Sequence, residues 1–505
     1  MQKDLFKKYL EETFGVKAAG KVLEALECPP SVSVRLNPSK WKAGDGTDTE
    51  IAGAGINGKV PWSEWGCFLK ERPVFTLDPL IHAGAYYVQD SSSMFVGFVF
   101  RQVLGQMLGE EPVAERRNLR VLDLCAAPGG KTTDLAASLR EMLGDRFILV
   151  SNEVMKNRAG TLVDNVALWG DPNVVVTSAD PAAFARLEGF FDIIVTDVPC
   201  SGEGMFRKDE GAVEQWSEDN VELCVARQRR ILADIWPALA PGGFLIYSTC
   251  TFNKYENDGN VGWAASELGA AVQVPDCPYE GPVRTEFGYS LAPGFVPGEG
   301  QYCAVLRKDD GGLRRVSAME NTEMGFKQGS STKRSKEKGR HDNRGAAALP
   351  GRELAGVFSA EVSFRERNCL IIAVPQQIES EIAAIESCLK PLLAGVAAGT
   401  MKAGKLIPSA DLALSTILSM DAFQDAELDK KVALEFLHRD TIRLDDSPLG
   451  YVTVSYKGHS LGFVKNIGNR CNNLHPMSRR ILMNLRRVTK KSFVPPPSDF
   501  LTPAD

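Results

Sequence analysis

LRVLDLCAAPGGKTT, residues 119–133, decides how the rest of this chain is read. An apolar run ends at Leu124, a turn holding Pro128, Gly129 and Gly130 follows, and a helix is predicted from near Thr132. Strand, glycine turn and helix make the opening unit of an open α/β sheet. Four more apolar runs come after it, RFILVSNEV, NVVVTSAD, FDIIVTDV and GGFLIYST, separated mostly by helix-length segments. Short apolar runs bounded by Gly, Pro and Ser read as strands covered on both faces. Their alternation with helices predicts a doubly wound, mostly parallel α/β sheet, which AAVQVPD and QYCAVLRK are expected to complete.

Working outward, residues 2–27 read as one amphipathic helix stopped by Pro29 and Pro30. SVSVRLNP alternates like a half-buried strand, with Arg35 on the face of Ser31 and Ser33. A helix is expected from about Ser92 to Leu108. Residues 309–349 are rich in Gly, Ser, Lys and Arg and have little to bury, so they read as a flexible basic linker. Beyond them, SFRERNCLIIAVP, a helix near Gln377 to Leu389 and the strands around YVTVSYKGHSLGFVKN predict a small α+β module. The domain division expected is 1–115, 116–308, 309–349 and 350–505.

At 505 residues the chain is too long for a single core. No apolar stretch approaches the roughly 18 residues of a membrane span, and the amino terminus lacks the apolar centre of a signal peptide. Eleven scattered cysteines, an odd number, do not form a disulfide framework, and no paired CxxC or HxxxH spacing suggests a metal site. A reduced, cytoplasmic protein with free thiols is expected, with no bound metal and no membrane partner. Net charge is −6, yet no Asp or Glu occurs from Ser447 to Ser498, where nine Lys and Arg fall. A basic module on an acidic chain is either a solvated face or a surface for a polyanion.

Three carboxylates follow the strand ends. Glu153 suits ribose hydroxyls, Asp180 is within reach of an adenine amino group, and Asp197 ends the fourth strand. Singly, each reads as a helix cap or a surface residue. Together with the glycine turn they describe a cleft for a nucleoside without phosphates, such as S-adenosylmethionine. The turn matches neither a Walker A loop nor the dinucleotide fingerprint. Two cysteines, Cys200 and Cys250, also close apolar runs and reach the same crevice. A cysteine at a strand end is ordinarily a small buried hydrophobe. Two of them beside Asp197 suit methylation of a pyrimidine at C5, where a thiolate adds at C6 and an acid near N3 assists. The residues alone do not say which thiol attacks.

LDLCAAPGGKTT, NEVMKNR, TDVPCSGEGMFRK and YSTCTFNKYENDGNV resemble the motif series of the NOL1/NOP2/Sun family of RNA cytosine-C5 methyltransferases, in family order. The resemblance implies a Rossmann-like class I methyltransferase fold and S-adenosylmethionine as cofactor. It implies that Cys250 is the nucleophile and that Cys200 helps release the product, with Asp197 and Lys131 completing the catalytic set. It assigns cofactor contacts to Cys125, Ala126, Ala127, Pro128, Gly129, Gly130, Lys131, Glu153, Arg158, Asp180 and Asp197.

SVRLNP and YVQDSSSM resemble the family's amino-terminal RNA-binding region. GKLIPSADLALS and LGFVKNIGNRCNNLHPMSRRI resemble a PUA-like carboxy-terminal extension of bacterial enzymes that modify small-subunit ribosomal RNA. The expected partner is therefore RNA, ribosomal RNA or the small subunit first, met by a monomer. Transfer RNA as substrate, and a non-catalytic RNA-binding assembly factor, are the alternatives. The basic linker and basic end are expected to contact phosphates, and Cys471 is expected to be structural.

Overall fold

Strand Leu119–Asp123 lies at the centre of a nine-stranded sheet, because its side chains face apolar neighbours on both sides. The computed structural model describes residues 3–41, 50–110, 117–309, 354 and 356–485. Leu119–Asp123 pairs in parallel with Phe147–Asn152, which pairs with Val174–Thr177, and on its other flank with Phe191–Asp197, which pairs with Leu239–Thr249. The chain thus winds outward in one direction and then restarts on the other side. That reversal, between Leu119–Asp123 and Phe191–Asp197, is where an open sheet leaves a crevice at its carboxyl ends. Gln301–Arg307 adds antiparallel to Leu239–Thr249, and Ala271–Gln273 pairs with it, so both late apolar runs join the sheet as expected. Gly288–Leu291 and Val283–Arg284 extend that edge.

Helices cover both faces, which is why the strands carry continuous apolar runs. On one face, Leu135, Leu139, Leu162 and Val166 pack with Phe95, Val99 and Phe100 over Val121 and Leu149. On the other, Ile231, Leu232, Val261 and Ala264 cover Leu122, Ile148 and Val150. Ile382 and Ile385, on the carboxy-terminal helix Glu379–Cys388, pack into this second layer too. At the open edge the backbone groups of Val176 are bonded to Leu392 and Leu393, which covers part of the ladder there.

The amino-terminal segment departs from expectation in two ways. Residues 2–27 form two helices, Lys3–Phe14 and Val16–Leu26, since Gly15 has φ +82°, a left-handed conformation that breaks the first helix. Strand Ser33–Leu36, within a five-stranded sheet, is buried along its whole length instead of on one face. The reason is that its Arg35 face packs against a helix of the nine-stranded sheet, where Arg35 bonds Gly130 and Thr133. Asn37 donates to the carbonyls of Gly84 and Trp169, and Lys40 to those of Ala83 and Leu168.

The residues after 354 carry two four-stranded sheets, Val362–Arg367 to Lys405–Pro408 and Gln424–Glu427 to Cys471–Asn473. Cys471 is 2% exposed within the apolar core of the second. Arg479, expected among the phosphate contacts, is instead held by Asp164 at 2.8 Å and Asp411 at 2.6 Å. A guanidinium with two carboxylate partners ties the carboxy-terminal segment to helix Lys156–Trp169 and is not free for phosphate. The expected linker 309–349, beyond Asp309, and Arg486, Arg487, Lys490 and Lys491 lie outside the described residues. Among the described residues no helix is long and apolar enough to cross a membrane.

Candidate active site

The glycine turn follows Asp123 and turns the chain into helix Gly130–Leu143, which starts two residues before the position expected. Gly129 makes this possible with φ +115°, a conformation a side chain would strain. Asn152 fastens the turn to the next strand through bonds to the carbonyls of Leu124 and Ala179. Arg158 donates to the carbonyl of Ala127 at 2.7 Å and stands 3.4 Å from Glu153. Glu153 itself is 3% exposed and accepts from the N–H of Met155. Asp180 caps the next short helix by accepting from Ala182, and it is about half exposed. Turn, Glu153 and Asp180 therefore follow the carboxyl ends of three adjacent strands, as the sequence suggested.

Asp123 is fully buried. One carboxylate oxygen accepts from Thr132 at 2.7 Å, and the other has no hydrogen-bond partner among the described residues. Burial pushes this carboxyl up to about 7, against the Thr132 bond and the Lys131 charge. An acid raised in the folded state stabilises the fold below its unfolded value of about 4, and that stability is lost as pH rises towards 7. The melting temperature of the cofactor-free protein is therefore expected to fall between pH 5 and pH 7.5. Asp123→Asn should fall less over the same range, since Glu256, also near 7, still titrates. Equal slopes for the two chains in thermal-shift measurements would refute this assignment.

The two thiols meet. Cys200 follows strand Phe191–Asp197, Cys250 follows Leu239–Thr249, and these strands are parallel neighbours, with Asp197 opposite Ser248. The sulfurs stand 3.2 Å apart. The hydrogen bond to Cys250, then burial, raises Cys200 well above an ordinary thiol, so Cys200 keeps its proton. Beside them Lys131 Nζ is 2.8 Å from Asp197 Oδ2 and 2.9 Å from Ser93 Oγ. Burial pulls Lys131 down, but the charges of Asp197 and Cys250 more than offset it, leaving the ammonium more firmly protonated than a free lysine. Cys125 differs from this pair. Burial pushes its thiol up to about 12, and its hydrogen-bond neighbour is the Thr196 hydroxyl at 3.8 Å, so it stands apart from the reacting pair of sulfurs.

Several residues of the site carried no mark in the sequence. Gln301 Nε2 and Ser248 Oγ each donate to Asp197 Oδ1 at 3.0 Å. Gln301 opens an antiparallel strand, and only that pairing delivers it beside Asp197. Glu203 and Glu256 are fully buried beneath the thiols, and burial followed by the Glu203 charge pushes Glu256 up to about 7. They lie in the same motifs as the two cysteines, and nothing local in the sequence marks either acid as a contact.

A glycine turn closed by no phosphate-binding side chain, a buried carboxylate with an idle oxygen and Glu153 fit a nucleoside cofactor, and two strand-end thiols fit a reacting base. Fold and site together define a class I methyltransferase dependent on S-adenosylmethionine. Family models match the chain in three places: 16S rRNA methyltransferase RsmB/F over residues 111–307, the N-terminal domain of 16S rRNA methyltransferase RsmF over 3–91, and the methyltransferase RsmF PUA domain over 423–481. Ribosomal RNA small subunit methyltransferase F of Erwinia tasmaniensis is 30% identical over 439 residues, covering 83% of this chain and 84% of that one. Its counterpart from Shewanella loihica is 29% identical over 467 residues, 89% of each chain. The crystal structure of PH0851 shares the fold, with a TM-score of 0.51 at 22% identity over 60% of this chain and 65% of that one. The chain belongs to the ribosomal RNA small subunit methyltransferase F family.

Proposed function

We propose that this protein methylates cytosine at C5 in small-subunit ribosomal RNA through a covalent bond between Cys250 and C6 of the base. The observation that carries the reading is the pair of thiols 3.2 Å apart beside the Lys131–Asp197 ion pair. Cytosine C5 is too weakly nucleophilic to react alone, and a thiolate adding at C6 supplies the electrons it lacks. Cys250 is the attacking group that the resemblance of YSTCTFNKYENDGNV to the family's motif implies, and Cys200 lies in contact with its sulfur at 3.2 Å. The Lys131 ammonium, paired with Asp197, delivers a proton towards N3 as charge builds on the ring. Gln301, Ser248 and Lys131 together fix both Asp197 oxygens, so the carboxylate meets the base in one orientation. S-adenosylmethionine would be held by Cys125 to Lys131, Glu153, Arg158, Asp180 and Asp197, and would supply an electrophilic methyl group. Loss of the C5 proton and departure of Cys250 as thiolate restore the ring, and Cys200, in contact with that sulfur, assists the departure.

Such a mechanism needs the base outside a helix, since neither thiol reaches C6 in a stacked pair. A groove of about 1110 Å³, lined by Lys59, Lys70, Arg72, Arg207 and Lys208 with Glu71 and Glu280 among them, suits a flanking RNA strand. On this reading residues 1–115 and 350–505 hold RNA on either side of a methyl-transfer core at 116–308, in a cytoplasmic monomer. Bisulfite sequencing of ribosomal and transfer RNA from a strain lacking the protein tests it. One or more 5-methylcytosines in small-subunit ribosomal RNA should disappear. A signal lost only from transfer RNA would overturn the ribosomal substrate.

A further inference from the structure

Each thiol is carried on a loop that leaves the sheet, and a loop of that kind has no ladder to fix it. The Cys200 loop runs Pro199, Cys200, Ser201, Gly202, Glu203, and the Cys250 loop runs from Cys250 to Glu256. Glu203, from the first loop, accepts from the backbone N–H groups of Phe252 and Asn253 at 2.6 and 3.1 Å in the second. Glu256, from the second, accepts from the N–H of Ser201 at 3.0 Å in the first. We propose that Glu203 and Glu256 are positioning residues whose reciprocal clasp, each carboxylate binding the backbone of the other thiol's loop, holds Cys200 and Cys250 in reacting contact. This rests on the reading of the two thiols as the reacting pair.

The surrounding bonds support a device for alignment over a pair of incidental core polar groups. Asn253 Nδ2 bridges the two acids, at 3.0 Å to Glu203 and 2.8 Å to Glu256. Trp216 Nε1 donates to Glu203, and Gln228 Nε2 donates both to Glu256 and to the carbonyl of Pro199, the residue before Cys200. Gly204 N–H donates to the carbonyl of Cys250 at 2.7 Å, and the Ser201 and Thr251 hydroxyls meet at 3.0 Å. A Cβ at Gly204 would lie 2.6 Å from that Cys250 carbonyl, so the loops are too close there for any side chain. All partners of the two acids are neutral. Two carboxylates buried side by side without a cation are costly, and fold stability alone is better served by apolar side chains of the same size. Their oxygens point at the backbone on either side of the thiols, which gives that cost a use.

Glu203→Gln and Glu256→Gln keep the volume but turn an amide donor towards groups that already donate. The test uses the full chain and two readouts. Diamide takes two electrons and two protons from paired thiols, and peptide mapping then measures the Cys200–Cys250 disulfide. Its formation in the parent should be fast, and about tenfold slower or more in each glutamine variant, because misplacing reacting atoms by about 1 Å has effects of this order or larger. Alkylation of the exposed Cys28 should stay at the parent rate in all of them. Methyl transfer to ribosomal RNA should lose about tenfold to a hundredfold in kcat. KM for RNA and for cofactor should stay within about twofold, the pattern of a lost transition-state alignment. Glu256→Asp should recover part of both rates, and it decides the question if a glutamine variant does not fold. Folded variants that cross-link and turn over like the parent would overturn the clasp. Methylation by a Cys250→Ala chain would instead overturn the cytosine reading and leave the cross-linking result standing.

Discussion

The Cys250→Ala chain is expected to retain less than about one part in 10⁴ of the parent methylation rate, the scale on which loss of a covalent nucleophile reads. That corresponds to about 5 kcal/mol of lost transition-state stabilisation. It should also form no protein–RNA adduct that survives a denaturing gel. Cys200→Ala should behave differently although its sulfur is only 3.2 Å away. Attack at C6 and methyl transfer remain possible in that chain, while release is slowed, so adduct accumulates with time and requires cofactor. The asymmetry rests on the roles proposed for the two sulfurs, Cys250 bonding C6 and Cys200, in contact with it, assisting its departure. Adduct in the Cys250→Ala chain and none in Cys200→Ala would reverse the roles.

How much of this was legible beforehand depends on the range of the interaction. The five parallel strands could be read from their apolar runs, since burial on both faces is written into consecutive residues. The turn and its acids could be read for the same reason: strand end, turn and cap are neighbours in the chain. Arg35 was misjudged because alternation in SVSVRLNP says only that one face is polar, not that a helix from 100 residues later will cover it. The first helix was drawn through Gly15 because its apolar spacing continues on both sides, and a single left-handed residue leaves that spacing intact. Arg479 was counted with the basic end, yet its partners Asp164 and Asp411 lie far away in sequence. Glu203 and Glu256 are the extreme case. Each binds about 50 residues away, across two strands that had first to be placed side by side. Composition marks buried acids as improbable, so their use becomes visible only with the loops in place.

Arg35 supports the second large prediction, because it ties the amino-terminal sheet to the start of the cofactor helix. It is 1% exposed. Its Nε donates to Gln89 at 2.8 Å, and one terminal nitrogen donates to the Thr133 hydroxyl at 2.6 Å and the Gly130 carbonyl at 3.2 Å. Asp134 lies 3.7 Å from it, and the guanidinium stacks 4.8 Å from the Trp169 ring centre. Burial lowers the guanidinium's pKa, and Asp134 works against that loss. Arg35→Met fills similar space but leaves Asp134, 3% exposed, with Arg101 at 3.6 Å as its one remaining ion-pair partner among the described residues, and it strands the acceptors at Gln89 and Gly130. Breaking one side of a buried pair typically costs about 3–5 kcal/mol. At a few degrees per kcal/mol in a chain of this size, the melting temperature should fall on the order of 10 °C. Cofactor affinity should weaken as well, by about tenfold, because Gly130 and Thr133 are the first turn of the helix proposed to hold the cofactor. Arg35→Lys should restore little of either, since a single ammonium cannot reach Gln89, Thr133 and Gly130 from one geometry. A calorimetric scan and a cofactor titration check both effects. If the melting temperature stayed within about 2 °C of the parent and cofactor affinity were unchanged, the amino-terminal sheet would be an independent appendage. The contacts of Asn37 and Lys40 with the carbonyls of Trp169 and Leu168 argue that it is part of the same folded unit.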